Sequence, residues 1–531
     1  MRFPSAPRLR RRTVSLSLSS VVSLVLIASA CSDVPKNVKE PWEDGGSGGT
    51  GGKGGSASMA SGGNAGTSTS GSAGTGSSGA PAAGKAGSAG AGVAAGGTAG
   101  AGTVGGATAM GGSGNTTSGS AGMAGGAPPM LMRGPTPPSA TSKFPFPQNR
   151  QSSNCTYPGA YDNADVKTVY DAWKNDLVTQ DGADGFRRVK RPAEPGLDKD
   201  STVSEGIAYG MLIAVYMDDQ PLFDDLWKYA QKHTWYAENP GGGGNNTVLM
   251  NWYILKDGNV GNNGNGAATD ADEDMAWSLI MADKQWGGQG SLEKSYIETA
   301  KQLLGDIWKY EIDNGHLPKN GSSWGNDQSL NVSYFAPAYY RVFANVTGEQ
   351  KWGKDVVDYC YQVIDQNLND SNGNKTNGLV PAFSQANGSP AVAGPGQSLA
   401  FNYQYDSCRT PFRIGLDACW AHDQRAVDYV AKTSSFFGAI GAAHIVDGYE
   451  LNGTPKPQYP DGFNGLSAAF IGPAGVGAMH SPTYQTFINE VWDLLKLNNM
   501  WCGGQYYDES WTMMAMLMLS GNFLDYTQYS P

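Results

Sequence analysis

The sequence predicts an all-α domain, an α/α toroid, that follows a disordered Gly/Ser/Ala-rich linker. Ten or more helical patterns, joined by polar loops, fill residues 143–531, and the strand pattern there is too thin for a sandwich or a doubly wound sheet. Patterns that are apolar nearly all round, such as GIAYGMLIAVYM at 206–217, alternate with amphipathic ones, such as PLFDDLWKYAQKH at 221–233. An inner ring of buried helices inside an outer amphipathic ring would produce that alternation.

The first 30 residues predict a secretory signal peptide. A basic segment, MRFPSAPRLRRR, precedes an apolar one, TVSLSLSSVVSLVLIASA, which ends in small residues. Cys31 follows, and ASAC resembles a bacterial lipobox, although Ala28 stands where Leu is usual. Two outcomes stay open: lipidation of Cys31 at the cell surface, or plain secretion. Disulfides are possible in either compartment.

Residues 31–142 form the predicted linker between the signal peptide and the domain. Most of this segment is Gly, Ala, Ser and Thr, with almost no charged or aromatic residues from about 45 to 140. Such a chain buries too little apolar surface to offset its conformational entropy, so it is expected to stay disordered. A coil of roughly 95 residues spans about 50–60 Å, which suits a tether.

The segment AATDADEDMAW at 267–277 crowds four carboxyl groups into five positions. Helix capping is the first interpretation: Thr269 or Asp270 caps a helix, and Asp272, Glu273 and Asp274 occupy its first turn, where the helix dipole favours negative charge. A calcium loop over 257–274 is the alternative, but the spacing and closing Glu of an EF-hand are missing. On this interpretation, substitutions in the first turn should cost about 1 kcal/mol or less each.

Three segments of the domain resemble one enzyme family. ATDADEDMAWSLIMADKQW at 268–286 resembles the signature of glycoside hydrolase family 8, the bacterial endoglucanases and their relatives. VSEGIAYGM at 203–211 resembles the general-acid segment of that family, and YDSCRTPFR at 405–413 resembles its D-x-x-R segment. The resemblance runs from about residue 144 to the end of the chain. It implies an (α/α)6 barrel.

The resemblance also implies the catalytic roles. Glu205 would be the general acid, Asp406 the general base with Arg409 beside it, and Asp270 the residue that holds the distorted sugar and steadies developing positive charge. Tyr209, one turn after Glu205, would help to exclude water from it. The family places sugar-stacking or cleft residues at Trp252, Trp324 and Tyr334.

The chemistry requires one protonated and one ionised carboxyl group, so the surroundings of the two must differ. Ser204 is expected to cap its helix and, with the helix dipole, to favour the charged form of Glu205, so burial must outweigh that effect. Arg409 lies three residues after Asp406 and is expected to keep that carboxyl group ionised.

These features predict a secreted or lipid-anchored, monomeric endoglucanase that cleaves β-1,4-linked polysaccharide with inversion. A xylanase, a mixed-linkage glucanase or a chitosanase are alternatives on the same scaffold, and Asp406 favours the endoglucanase and xylanase branch. An inactive carbohydrate-binding surface lipoprotein is the alternative from another class. The net charge of −11 argues against nucleic acid as a partner. The five His residues lack metal-ligand spacing, so neither a metal nor a cofactor is expected.

Overall fold

The computed structural model describes residues 142–192, 198–238, 244–392, 401–457 and 466–530. The predicted signal peptide, Cys31 and nearly all of the predicted linker lie outside these ranges, so those assignments stay predictions. Within the described ranges, no helix combines the length and the apolar character needed to cross a membrane.

The described residues form twelve α-helices. In chain order they are α1 (Asn163–Leu177), α2 (Ser204–Tyr216), α3 (Gln220–Lys232), α4 (Thr269–Gln285), α5 (Tyr296–Tyr310), α6 (Pro337–Thr347), α7 (Val357–Asn367), α8 (Thr410–Trp420), α9 (Gln424–Ile440), α10 (Ala468–Ala478), α11 (Gln485–Leu495) and α12 (Gln505–Leu519). A π-helical turn, Trp352–Val356, leads into α7.

The even-numbered helices form the inner ring. In α2 every residue except Glu205 is buried, and in α10 every residue is buried, as their nearly uniform apolar sequences predict. Helix α2 packs against α4 and α12, and α10 packs against α8 and α12. Helix α6 completes the ring, since it packs against α8 and stacks Tyr339 on Trp277 of α4, with ring centroids 4.2 Å apart.

The odd-numbered helices form the outer ring and bury one face each. Helix α5 begins with a capping box in which the side chains of Ser295 and Glu298 satisfy backbone N–H groups reciprocally. It buries an apolar stripe that includes Leu303, Leu304 and Ile307, while charged residues such as Lys301 stay exposed. Six inner and six outer helices confirm the predicted all-α class and the (α/α)6 barrel.

The described residues also form eight short strands. The sequence does not predict these strands. They form four antiparallel two-stranded ribbons, β1–β2, β3–β6, β4–β5 and β7–β8. Their bounds are β1 (Val178–Thr179), β2 (Arg188–Val189), β3 (Thr202–Val203), β4 (Thr234–Glu238), β5 (Gly244–Met250), β6 (Tyr253–Ile254), β7 (Ile312–Asp313) and β8 (Leu317–Pro318). Most are two residues long, too short for an alternating pattern to be visible in the sequence.

The N-terminal segment of the domain is tied to the helices. The backbone N–H of Lys143 donates to the Gln285 carbonyl at the end of α4, at 2.8 Å. A disulfide joins Cys155 to Cys419 near the end of α8. Cys360 and Cys408 are buried thiols.

Candidate active site

The predicted catalytic residues lie at the end of the barrel where several inner helices begin, which we call the catalytic end. Glu205 is the second residue of α2, Asp270 the second of α4, and Tyr506 the second of α12. Arg409 immediately precedes α8. The barrel therefore brings together side chains that lie up to 301 positions apart in the chain.

Helix α2 starts directly from a strand rather than from a capping side chain. Val203 pairs with Tyr253 in the β3–β6 ribbon and occupies the N-cap position, and the backbone N–H of Ser204 donates to the Trp252 carbonyl at 2.9 Å. The prediction that Ser204 caps the helix is therefore wrong. The ribbon fixes the start of α2 and so places Glu205.

Helix α4 also begins without a side-chain cap. Its N-cap residue is Ala268, which bridges to Gly321, and the N–H of Thr269 donates to the Asn320 carbonyl at 3.1 Å. Because a neighbouring loop takes up this backbone group, no capping oxygen is needed, and the predicted capping by Thr269 or Asp270 is wrong. Asp270 is free to turn toward the centre of the site.

One guanidinium group connects the three predicted catalytic acids. Nη1 of Arg409 lies 2.7 Å from Oε2 of Glu205 and 2.7 Å from Oδ2 of Asp270. Nη2 lies 3.8 Å from Oδ1 of Asp406, and Nε donates to Ser333 Oγ at 3.0 Å. Arg409 is thus an organising residue for all three carboxyl groups, rather than only a neighbour of Asp406.

Glu205 is the most accessible of the three acids, with 17% of its side chain exposed against 3% for Asp270 and 8% for Asp406. Burial raises the pKa of Glu205 to about 7, with Arg409 opposing the rise and the charge of Asp270 adding to it. A carboxyl group that is partly open to the cleft and protonated near neutral pH can donate a proton to a substrate oxygen.

Asp406 is held by two amide side chains. Asn331 Nδ2 donates to Oδ1 at 3.2 Å, and Gln404 Nε2 donates to Oδ2 at 3.2 Å. Burial raises the pKa of Asp406 above its ordinary value, although Arg409, Gln404 and Asn331 act in the opposite direction. Arg409 acts in the predicted direction, toward the ionised form, and the two amide donors act in the same direction against the effect of burial.

Two of the predicted aromatic residues lie against the acids. The Tyr334 ring faces Arg409, with the guanidinium carbon 5.0 Å from the ring centroid, and it is 8% exposed. Tyr209 is buried beside Glu205 and packs edge-on against Trp511. Both rings exclude water around the charged groups, as predicted for Tyr209.

Two tryptophans lie at this end of the barrel, in segments whose backbones contact the starts of α2 and α4. Trp252 accepts the Ser204 N–H, stacks on Tyr253 at 5.3 Å and donates its indole N–H to the Asn263 carbonyl at 2.7 Å. Trp324 belongs to the loop that bridges to Ala268 at the start of α4, and its side chain is 36% exposed. The structure places both near the helices that carry Glu205 and Asp270.

Four residues at the site were not identified as site residues from the sequence. They are Ser333, which contacts Arg409; Asn331 and Gln404, which contact Asp406; and Tyr506, which contacts Glu205. Tyr506 offered a signal, since it belongs to the tyrosine pair in GQYYDESW. The polar residues offered none, because Asn and Gln are common in the loops of this chain.

The three acids that follow Asp270 are buried inside the barrel wall. Asp274 forms a two-pronged ion pair with Arg413, in which Nη2 lies 2.7 Å from Oδ2, and Glu273 accepts the O–H of Tyr340 at 2.8 Å. Asp272 shares a hydrogen bond with Glu311, and burial raises the pKa of both well above the ordinary value. Their assignment to dipole-stabilised helix start is therefore wrong.

The Asp- and Asn-rich loop considered for calcium uses its side chains in turns. Asp257 accepts from the backbone N–H of Asn259 at 3.0 Å, and its other carboxyl oxygen accepts from Asn259 Nδ2 at 2.8 Å. Across the described parts of the chain, no group of three or more His, Cys, Asp or Glu residues is arranged to hold a metal ion.

Comparison with known proteins identifies the family of this chain. The family model for glycosyl hydrolases family 8 matches residues 144–521. Endoglucanase A of Acetivibrio thermocellus is 37% identical over 362 residues, which cover 67% of this chain and 69% of that protein. Endoglucanase 2 of Ruminiclostridium josui is 36% identical over 405 residues, covering 74% and 80%. The apo structure of a beta-1,3-1,4-glucanase from Paenibacillus sp. X4 superposes with a TM-score of 0.60 at 28% identity, covering 71% of this chain and 98% of that one. The chain therefore belongs to glycoside hydrolase family 8 and is a glycoside hydrolase.

Proposed function

We propose that this enzyme is an endoglucanase that hydrolyses β-1,4-linked glucan with inversion at the anomeric carbon. The observation that carries the proposal is the arrangement of Glu205, Asp270 and Asp406 around the single guanidinium of Arg409. The two endoglucanases named above, each at least 36% identical, support the choice of glucan.

In the proposed reaction, protonated Glu205 gives its proton to the glycosidic oxygen as the bond from that oxygen to the anomeric carbon breaks. A water oxygen forms the new bond on the opposite face of the sugar, and Asp406 takes the proton that this water loses. The Asp270 carboxylate steadies the positive charge that develops on the ring between these events. Neither carboxyl group forms a bond to the sugar.

The proposal sets a pH dependence. The acid must be protonated, so kcat/KM should fall as the pH rises through the pKa of Glu205, which is raised to about 7. The base must be ionised, so kcat/KM should also fall as the pH drops through the pKa of Asp406, which burial raises above 3.8. A bell-shaped profile with its maximum on the acid side of pH 7 is expected. A rate that is constant from pH 5 to 9 would contradict these assignments.

Inversion is tested by proton NMR of the first products. A water molecule must fit between Asp406 and the sugar, which asks for about 6.5–9.5 Å between the two catalytic carboxyl groups. Cello-oligosaccharide should first release the α-anomer at the new reducing end. Initial β-anomer would mean retention through a covalent intermediate, and the role given to Asp406 would then be wrong.

A second substrate class has specific support, because the solved relative with a TM-score of 0.60 is a beta-1,3-1,4-glucanase. Initial rates on carboxymethyl cellulose, barley β-glucan, xylan and chitosan distinguish the candidates. We expect carboxymethyl cellulose or barley glucan to be cut fastest, with viscosity falling before many reducing ends appear. Chitosan as the best substrate would overturn the branch assignment, and binding without turnover on every polymer would favour the inactive carbohydrate-binding alternative.

Export to the cell surface or medium is part of the same proposal. Support comes from the signal-like residues 1–30 and from the Cys155–Cys419 disulfide, a bond that persists outside the cytosol. Mass spectrometry of the mature protein, with Cys31→Ser as the control, would separate a lipidated monomer at the membrane from a released one. Deleting residues 45–140 should leave the rate on cellohexaose unchanged, because the tether would only extend the reach of the catalytic domain.

A further inference from the structure

Tyr506, in the first turn of α12, touches the carboxyl group that acts as the acid in the proposed function. Its O–H donates to Oε1 of Glu205 at 2.7 Å, while Oε2 of the same carboxyl group faces Arg409 at 2.7 Å. Tyr506 is only 2% exposed. Each oxygen of Glu205 therefore has its own donor, one from α12 and one from the residue that immediately precedes α8.

The neighbouring backbone is shaped to admit the Tyr506 ring. Gly206 follows Glu205 in α2, and a Cβ atom built at Gly206 would lie 2.9 Å from Cε2 and 3.3 Å from the hydroxyl oxygen of Tyr506. Real Cβ atoms essentially never approach another atom as closely as 2.9 Å, so any larger residue would displace the ring. Glycine in a helix interior costs about 1 kcal/mol relative to alanine, and here the close approach of Tyr506 explains its presence.

We propose that Tyr506 is a positioning residue for the general acid: its hydroxyl holds Oε1 of Glu205, and Gly206 provides the space that this contact requires. Held in this way, the carboxyl group keeps one orientation at the end of the cleft, from which it delivers its proton. This inference rests on the proposed role of Glu205 as the acid.

The test compares Tyr506→Phe with Tyr507→Phe. Tyr507 is the matched control, because it is the next residue of α12, is also buried, and donates its O–H at 3.2 Å to the Tyr405 carbonyl. A hydroxyl that donates to a carboxylate favours the charged form, so its loss should raise the pKa of Glu205. We expect the basic limb of the kcat/KM profile to move up by about one pH unit in Tyr506→Phe, and to stay in place in Tyr507→Phe.

Substrate dependence gives a second readout. Tyr506→Phe should lower kcat about tenfold on cello-oligosaccharides, with KM nearly unchanged, and should lower it much less on an aryl cellobioside whose leaving group needs no proton. Gly206→Ala should shift the basic limb in the same direction, and the double variant should shift no further than Tyr506→Phe alone. Gly206→Ala also keeps the test possible if Tyr506→Phe fails to fold.

The outcomes distinguish the positioning role of Tyr506 from the proposed role of Glu205 as the acid. If Glu205→Gln abolishes the basic limb but Tyr506→Phe leaves that limb in place, the acid is correct and the positioning role is wrong. A raised KM with unchanged kcat would make Tyr506 a sugar-binding residue instead. If Glu205→Gln keeps both its activity and the basic limb, the proposed acid itself is wrong.

Discussion

The start of α4 places two kinds of carboxyl group side by side, and neither kind is exposed. Asp270 and its three acidic successors all have relative exposures of 2% or less. Asp270 meets the guanidinium that it shares with Glu205 at the catalytic end. Asp272, Glu273 and Asp274 face partners within the barrel wall. The partner, rather than the degree of burial, separates the acid to which we assign a catalytic role from those that support the fold.

The three buried acids also differ among themselves. Asp274 pairs with Arg413, Glu273 accepts the hydroxyl of Tyr340, and Asp272 lies beside Glu311, where burial raises the pKa of both carboxyl groups. Burying an isolated charge costs several kcal/mol of folding free energy, and each of the three pairings avoids that cost by different contacts. Substitutions that replace the carboxyl group by an amide should therefore have unequal effects, although the three residues are neighbours.

The largest effect is expected at the catalytic end. Glu205→Gln should lower the rate on cello-oligosaccharides about 10²–10⁴-fold, the usual contribution of a positioned acid, and should lose least on good leaving groups. Asp406→Asn should be equally slow whatever the leaving group. Glu509→Gln is the matched control, because burial also raises the pKa of Glu509 to about 7 while its side chain contacts Gln505 rather than Arg409. An equal loss of rate in Glu205→Gln and Glu509→Gln would contradict the distinction between a catalytic acid and a buried acid that supports the fold.

A smaller but still large effect is expected at the buried ion pair. Asp274→Asn leaves the Arg413 guanidinium buried without its counter-charge, which should lower the free energy of unfolding by about 3–5 kcal/mol in urea at pH 7. Asp171→Asn is the surface control, since it breaks an exposed helical pair with Lys167 and should cost less than about 0.5 kcal/mol. A loss at Asp274 below about 1 kcal/mol would restore the dipole interpretation.

The pair of Asp272 and Glu311 should make the free energy of unfolding depend on pH. The pKa of each is raised well above its ordinary value, so the folded state keeps a proton that the unfolded chain releases above about pH 4. Stability from this source is complete in acid and is lost as the pH rises through the folded-state pKa. Asp272→Asn should flatten the decline in unfolding free energy by up to about 1.4 kcal/mol per pH unit. Parallel curves for variant and wild type between pH 5 and 9 would contradict a shared proton.

The smallest effect is expected at Glu273. Burial raises its pKa well above the ordinary value and so favours the uncharged form, and Gln has nearly the same size and can still accept the Tyr340 hydroxyl. Glu273→Gln should change the free energy of unfolding by less than about 1 kcal/mol, a Tm change of less than about 4 °C. A loss equal to that of Asp274→Asn would show that Glu273 is ionised.

The features predicted correctly from the sequence are those that a short stretch of chain determines. The alternation of GIAYGMLIAVYM with PLFDDLWKYAQKH predicts inner and outer helices, because burial around a helix depends on its own residues. The family resemblance likewise rests on continuous motifs around Glu205, Asp270 and Asp406. Both predictions are confirmed, for the fold and for the family.

The features that were missed depend on distant partners. In α2 and α4, the first backbone N–H group donates to a distant carbonyl rather than to a capping side chain. The acceptors are Trp252 and Asn320, each about 50 residues away in the chain. Arg413 reaches Asp274 across 139 positions, and Tyr506 reaches Glu205 across 301. Local propensity predicts an N-cap wherever Ser, Thr or Asp precedes a helix. Whether that cap is needed depends on which distant backbone groups the assembled barrel brings to the helix start.

Sharing one guanidinium among three carboxyl groups also has a consequence for inhibitors. When Glu205 carries its proton, Asp270 and Asp406 leave the cleft with one negative charge in excess over Arg409. A neutral sugar cannot balance that charge, whereas the cation-like ring of the transition state can. Ring mimics with a protonated nitrogen should therefore bind far more tightly than the neutral sugars they resemble, and the positive charge of Arg409 limits the size of that preference.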